Sequence, residues 1–228
     1  MRQQERSAEE KKLTAGWSDL HWTAFRGTKL QVMAELIRGI SIDAKAKNGY
    51  SPLHLAVFRG RREMARFLLL NGADLEALDK DENTPLHLAV LRQNLEMVKF
   101  LINKEANVRA RDKLGCTPLH SAALSNSSEL AVLLIRRGAA IDEKAKNGGT
   151  PLHFAAGTGQ VKLTSLLIAN KANIDIEGGN GMTPLQLAVK RHHKDTAELL
   201  RNAGAIDYDA VRSMIGREPS PQARQKRR

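Results

Sequence analysis

Thr84-Pro85-Leu86-His87 has near-copies at Ser51-Pro52-Leu53-His54, Thr117-Pro118-Leu119-His120, Thr150-Pro151-Leu152-His153 and Thr183-Pro184-Leu185-Gln186. Their first residues stand 33 positions apart each time, with no slippage. One further step back reaches Ser18-Asp19-Leu20-His21, a degenerate sixth copy. A fixed period of this length marks a repeat array. Each unit is then one supersecondary element that buries its apolar face on its neighbours.

Within each unit the residue types spell two short helices. Ser or Thr is a helix N-cap, and the proline after it occupies the first helical position, where a missing N–H costs nothing. An apolar face follows, as in Leu86, Leu88, Ala89 and Val90. Nine positions after the Thr comes a turn residue: Gly27, Gly60, Asn126 or Gly159. A second set of spaced aliphatics, such as Leu95, Met97, Val98, Leu101 and Ile102, predicts the second helix. Gly39, Gly72, Gly138 and Gly204 mark its end. Helices this short are marginal alone, so stacking has to hold them.

With these motifs the chain resembles the ankyrin-repeat family over roughly residues 13–207. The resemblance implies an all-α repeat solenoid: antiparallel helix pairs with projecting β-hairpin loops, stacked so that loop tips and first helices form a concave recognition surface. Residues 1–12 are a polar N-terminal segment, 208–215 a short capping helix with Tyr208, Val211 and Ile215 on one face, and 216–228 a basic disordered tail. Units one and six read as caps. Thr23 replaces the small Ala56, Ala89, Ala122, Ala155 and Ala188, Gln186 replaces the histidine, and Arg201 replaces Leu69, Ile102, Ile135 and Ile168. The second helix of unit one reads as shifted by one residue, because Leu36-Ile37 stands one residue before Gly39.

His21, His54, His87, His120 and His153 invite a metal or acid–base reading. Equivalent residues on stacked helices lie roughly 8–10 Å apart, too far to share one zinc at about 2.1 Å. The family resemblance instead implies that each bonds backbone around the neighbouring loop. No metal, no cofactor and no enzymatic activity are expected, since no nucleophile elbow, phosphate loop or paired-cysteine motif appears. Gly178-Gly179-Asn180-Gly181 reads as a flexible finger. Cys116, the lone cysteine, reads as an exposed and unremarkable thiol, and a single cysteine excludes a disulfide framework. His192-His193 reads as a solvated pair.

The resemblance implies that the informative residues flank the Thr on its N-terminal side and lie seven and eight positions after it. The residue before the Thr or Ser is Trp17, Tyr50, Asn83, Cys116, Gly149 and Met182 in turn. Seven after stand Phe25, Phe58, Leu91, Leu124, Gly157 and Lys190; eight after stand Arg26, Arg59, Arg92, Ser125, Thr158 and Arg191. Aromatic residues and arginines together on a groove have the composition of a binding hot spot. Trp17, Phe25, Arg26, Tyr50, Phe58, Arg59, Leu91 and Arg92 are therefore the candidate partner-binding residues, with Lys47, Lys80 and Lys113 on the loop tips steering association. Units five and six, with Gly149, Gly157 and Thr158, are expected to contribute less.

The charge of +11, from 36 basic against 25 acidic side chains, favours acidic partners without choosing among protein, nucleic acid and anionic lipid. No stretch approaches the roughly 20 apolar residues of a membrane span, and the polar start MRQQERSAEEKK carries no secretory h-region. The reading is a monomeric, non-enzymatic protein-binding module (adaptor, scaffold or stoichiometric regulator) in the cytoplasm or nucleus, taking an acidic or amphipathic segment and no membrane. Two alternatives stand beside it. One is a nuclear or nucleic-acid-associated regulator. The other is a translocated bacterial effector that uses the tail Arg224-Gln225-Lys226-Arg227-Arg228.

Overall fold

The computed structural model describes residues 16–208. Over them run α1 (Asp19–Arg26), α2 (Lys29–Ile37), α3 (Pro52–Phe58), α4 (Arg62–Leu70), α5 (Pro85–Leu91), α6 (Leu95–Asn103), α7 (Pro118–Leu124), α8 (Ser128–Arg136), α9 (Pro151–Gly157), α10 (Val161–Ala169), α11 (Pro184–Lys190) and α12 (Lys194–Asn202). Each unit contributes one pair. Each first helix packs on its own second helix and on the first helix of the next unit. The segments 1–12 and 216–228, and all of the capping helix beyond Tyr208, lie outside the described residues.

The repeated tetrapeptide starts each first helix by a reciprocal cap. The Thr84 hydroxyl meets the backbone N–H of His87, and the His87 ring Nδ1 accepts the backbone N–H of Thr84 at 3.2 Å. The same box forms at Ser51, Thr117 and Thr150, and with Gln186 in the histidine's place at Thr183. The core is a continuous stack of leucines and alanines, with Leu53, Leu68, Leu101, Leu119, Leu134, Leu152 and Leu167 fully buried.

Unit one is in register with the rest: α2 lies 33 residues before α4 at both ends, so the expected helix shift does not occur. What is displaced is the apolar pattern. Glu35 falls where Leu68, Leu101, Leu134, Leu167 and Leu200 are buried, and it is itself 7% exposed, held by Arg38 Nη1 at 2.8 Å. Gly27 also differs from its counterparts. Its backbone is extended, while Gly60, Gln93, Asn126, Gly159 and His192 all have positive φ. Arg61 of unit two fills the gap, donating to the carbonyls of Thr23, Ala24 and Gly27.

The terminal units carry smaller or more polar residues at some positions that are buried elsewhere, although the second helix of unit one also exposes Leu30, Met33 and Ile37. Gln31 and Ala34 are exposed where Met64 is buried and Phe67 half-buried, and Arg201 is exposed and paired with Asp207 at 2.9 Å. The fingers between units contain no strand among the described residues. Instead each is a turn closed by two backbone bonds, such as Asp79 N–H to Asn83 O and Glu82 N–H to Asp79 O, both at 3.1 Å. Neighbouring fingers are joined by bonds such as Lys80 N–H to Asn48 O at 3.2 Å.

Candidate functional site

The five histidines hold neighbouring units together. While Nδ1 completes the cap, Nε2 donates to a carbonyl 29 residues on: His21 to Tyr50 O, His54 to Asn83 O, His87 to Cys116 O, His120 to Gly149 O and His153 to Met182 O, all at 3.0–3.2 Å. A cationic ring would carry a proton on Nδ1 pointing at a backbone N–H. Burial first of all therefore holds these rings below the usual histidine pKa, with His54 at about 4. Among the described residues no finger follows the sixth unit. Gln186 supplies the cap alone through Oε1 to Thr183 N at 3.1 Å.

That tie explains Cys116, which is 4% exposed rather than open to solvent. Its carbonyl takes the bond from His87, and its N–H donates to Asp112 Oδ1 at 2.8 Å. Burial pushes the thiol up to about 11, so it has no nucleophilic character at neutral pH. His193 is likewise half-buried, its Nε2 3.1 Å from Gly157 O, whereas His192 is exposed as expected.

The residues singled out on the recognition face form a ladder. Trp17, Trp22 and Phe25 pack edge to face, with ring centroids 4.6, 4.9 and 6.4 Å apart. The Arg26 guanidinium lies 4.5 Å over the Trp22 ring, Arg59 lies 4.7 Å over Phe25, and Arg92 lies 4.6 Å over Phe58. In units two and three, then, the arginine eight residues after the Ser or Thr reaches back to the ring of the preceding unit. Arg26, Arg59 and Arg92 are exposed, and none has a hydrogen bond or ion pair among the described residues. Each places its cation over a ring and leaves its N–H donors without an acceptor among the described residues. Tyr50 stands apart from this ladder, stacked on His54 at 5.6 Å. Leu91 continues the column and is 41% exposed. Trp22 was not among the residues expected here. Its position carries the buried Leu55 and Leu88 in the next two units, and only its residue type hinted at the role.

The finger lysines divide into two kinds. Lys47, Lys80 and Lys113 are exposed with no partner among the described residues. Lys45, Lys144 and Lys146 instead brace the array, donating to Leu78 O, Glu177 O and Lys113 O at 2.7, 2.9 and 2.7 Å. Arg111 is tied too, to Glu143 and to Lys144 O.

Among the described residues no helix is long and apolar enough to cross a membrane, and no group of three His, Cys, Asp or Glu side chains could hold a metal ion. No curated protein sequence matches the chain. A family model described as "Ankyrin repeats (3 copies)" matches residues 4–79, 68–145 and 127–211. Repeats of this kind are general protein–protein interaction modules and are typically non-enzymatic. The matches cover most of the sequence, and the chain belongs to the ankyrin-repeat family.

Proposed function

We propose that this chain is a non-enzymatic adaptor, scaffold or stoichiometric regulator, and that units one to four hold an acidic segment of another protein carrying apolar anchors. The supporting observation is the pair Arg59 on Phe25 and Arg92 on Phe58, neither guanidinium having an acidic partner among the described residues. A guanidinium laid on a ring is partly desolvated and already ordered. A carboxylate meeting its edge forms a bidentate pair worth more than one in open water, at little ordering cost. The neighbouring rings supply rigid apolar area. Unpaired Lys47, Lys80 and Lys113 on the fingers favour fast association with an acidic partner. A monomer in the cytoplasm or nucleus belongs to the same proposal.

The charge of +11 supports a second reading, a nucleic-acid-associated regulator. Phosphate contacts would give a steep fall in affinity with salt, so a salt titration separates the two. The test of the first reading is affinity capture of a partner, followed by titration of the parent, Phe58→Ala and Arg59→Ala. Each substitution is expected to cost about 2 kcal/mol of binding with the melting temperature kept. Unchanged affinity in both would remove this face from the account.

A further inference from the structure

Both columns of the recognition face lose their side chains at one place. The residue before the Thr becomes Gly149, and the residue seven after it becomes Gly157. Together they open a cavity of about 560 Å³ between units four and six. Phe154 and Leu187 line its apolar part, with Leu124 on the side of unit four. The adjoining finger comes close because Gly179 permits it: a Cβ there would stand 2.4 Å from Asn147 O.

Gly149 and Gly157 are different. Neither has a left-handed backbone, so conformation does not demand glycine at either position. Gly157 is the last residue of α9, where a glycine is less stable than an alanine by up to about 1 kcal/mol. A Cβ on Gly157 would meet Leu187 Cδ2 at 2.9 Å, and one on Gly149 would meet the Phe154 ring at 3.1 Å. The sequence gives up helix stability at this point, Leu187 and Phe154 close up against the bare backbone, and the cavity lies beside them where larger side chains would otherwise project.

The rim carries fixed positive charge. Arg191 reaches back as Arg59 and Arg92 do. With no ring at Gly157 to lie on, its Nη1 donates to the Gly157 carbonyl at 2.9 Å. Lys146 Nζ is held by Lys113 O at 2.7 Å. Neither cation has an ion-pair partner among the described residues, and no acidic side chain lines the cavity.

We propose that this cavity is an anchor pocket for one aromatic side chain of a partner polypeptide, flanked in that polypeptide by a carboxylate that meets Arg191 and Lys146. An aromatic side chain brings the largest apolar area for its rotamer cost, and the volume leaves room for its ring together with the polar groups that flank it. The two held cations select an acidic neighbour. This inference rests on the reading of the face as a protein-binding surface and extends it from units one to four into units four to six.

The test titrates the full ¹⁵N-labelled chain with acetyl-Asp-Phe-Asp-amide, acetyl-Asp-Ala-Asp-amide and acetyl-Lys-Phe-Lys-amide, following backbone amide shifts. The first peptide should move the Gly149, Gly157 and Gly179 amides saturably, and the other two should bind at least about tenfold more weakly. Gly157→Leu restores the residue type of Leu91 and Leu124 at the expense of displacing Leu187, and should weaken the first peptide by at least about tenfold. Gly157→Ala fills less of the space and should give a smaller loss; it decides the matter if the leucine variant unfolds. Equal binding of the alanine peptide, or undiminished binding to both Gly157 variants, overturns the pocket, as does the absence of saturable shifts. The variant Phe58→Ala/Arg59→Ala should keep the glycine shifts. Shifts confined to the Trp17 and Phe25 region would overturn the pocket while leaving the face reading intact.

Discussion

Units one and two crowd Trp17, Trp22, Phe25 and Phe58 near the guanidiniums of Arg26, Arg59 and Arg92, whereas unit five carries Gly149 and Gly157 in the two columns that flank its Thr150. The first helices beneath the two ends are alike, seven or eight residues long and started by the same reciprocal cap. One end therefore presents filled, cation-topped ridges and the other an open hollow rimmed by Arg191 and Lys146. A repeat array separates stability from recognition in this way. The core residues repeat because every unit must stack, and the column residues are free to differ because they do not.

The largest difference between the ends should appear in the histidine ladder. His54→Ala leaves the buried Ser51 N–H without a partner, strips the Asn83 carbonyl of its bond from the preceding unit and opens a cavity, an expected loss of about 4 kcal/mol. At the other end Gln186 bonds no following unit among the described residues, so Gln186→Ala should cost about 1 kcal/mol, the value of a cap. Denaturant unfolding measures both, and equal losses would break the contrast. The same rings set the acid response. Their folded pKa values lie below the unfolded value, so between the two the unfolded chain binds more protons and stability rises with pH. The melting temperature should be level above about pH 6.5 and fall as the pH drops towards 4, the region to which His54 is lowered. A flat profile across that window would contradict the assigned ring roles.

The filled end rests on the less well packed unit. Glu35 sits in the leucine position, so Glu35→Leu should stabilise by about 2 kcal/mol, read as a higher urea midpoint. Hydrogen exchange in the parent should show α2 opening faster than α4, α6 and α8. A lowered midpoint for Glu35→Leu would mean that the Arg38 pair outweighs the apolar alternative.

The smallest effect concerns the turn after the second helix. Gly72 has φ +89° at the filled end, while Lys171 has φ 66° in unit five. A left-handed conformation strains a residue bearing a Cβ by roughly 1 kcal/mol. Lys171→Gly should raise stability by that amount and Gly72→Lys should lower it by the same. Glu105, with φ 69° in unit three, should behave like Lys171.

Much of this architecture was legible in the sequence because it is periodic. Thr-Pro-Leu-His encodes a cap, a helix start and a tie to the next unit in four residues, and the strained turn positions Glu105 and Lys171 stood out against glycines in equivalent places. What was not legible depends on contacts between units. The 33-residue period places Arg59 beside Phe58, but only stacking lays it on Phe25. Cys116 looked exposed because a finger residue usually is; its carbonyl bond to His87 pulls it in. Glu35 made the pattern of α2 look shifted, although helix ends are set by caps at Thr28 and Gly39, and the pattern merely carries a misplaced charge. Gly149 and Gly157 read as absence of contact, where in three dimensions they make space.

The claim at the centre is that recognition works through guanidiniums seated on rings rather than through positive charge alone. The direct measurement is the affinity of a captured partner for the parent against Arg59→Lys/Arg92→Lys, at fixed salt. Lysine keeps the charge but offers neither a planar face for Phe25 and Phe58 nor a bidentate edge. The expected result is a loss of at least about tenfold with an unchanged melting temperature. Affinity equal to that of the parent would contradict the account and leave net charge as the whole of the attraction.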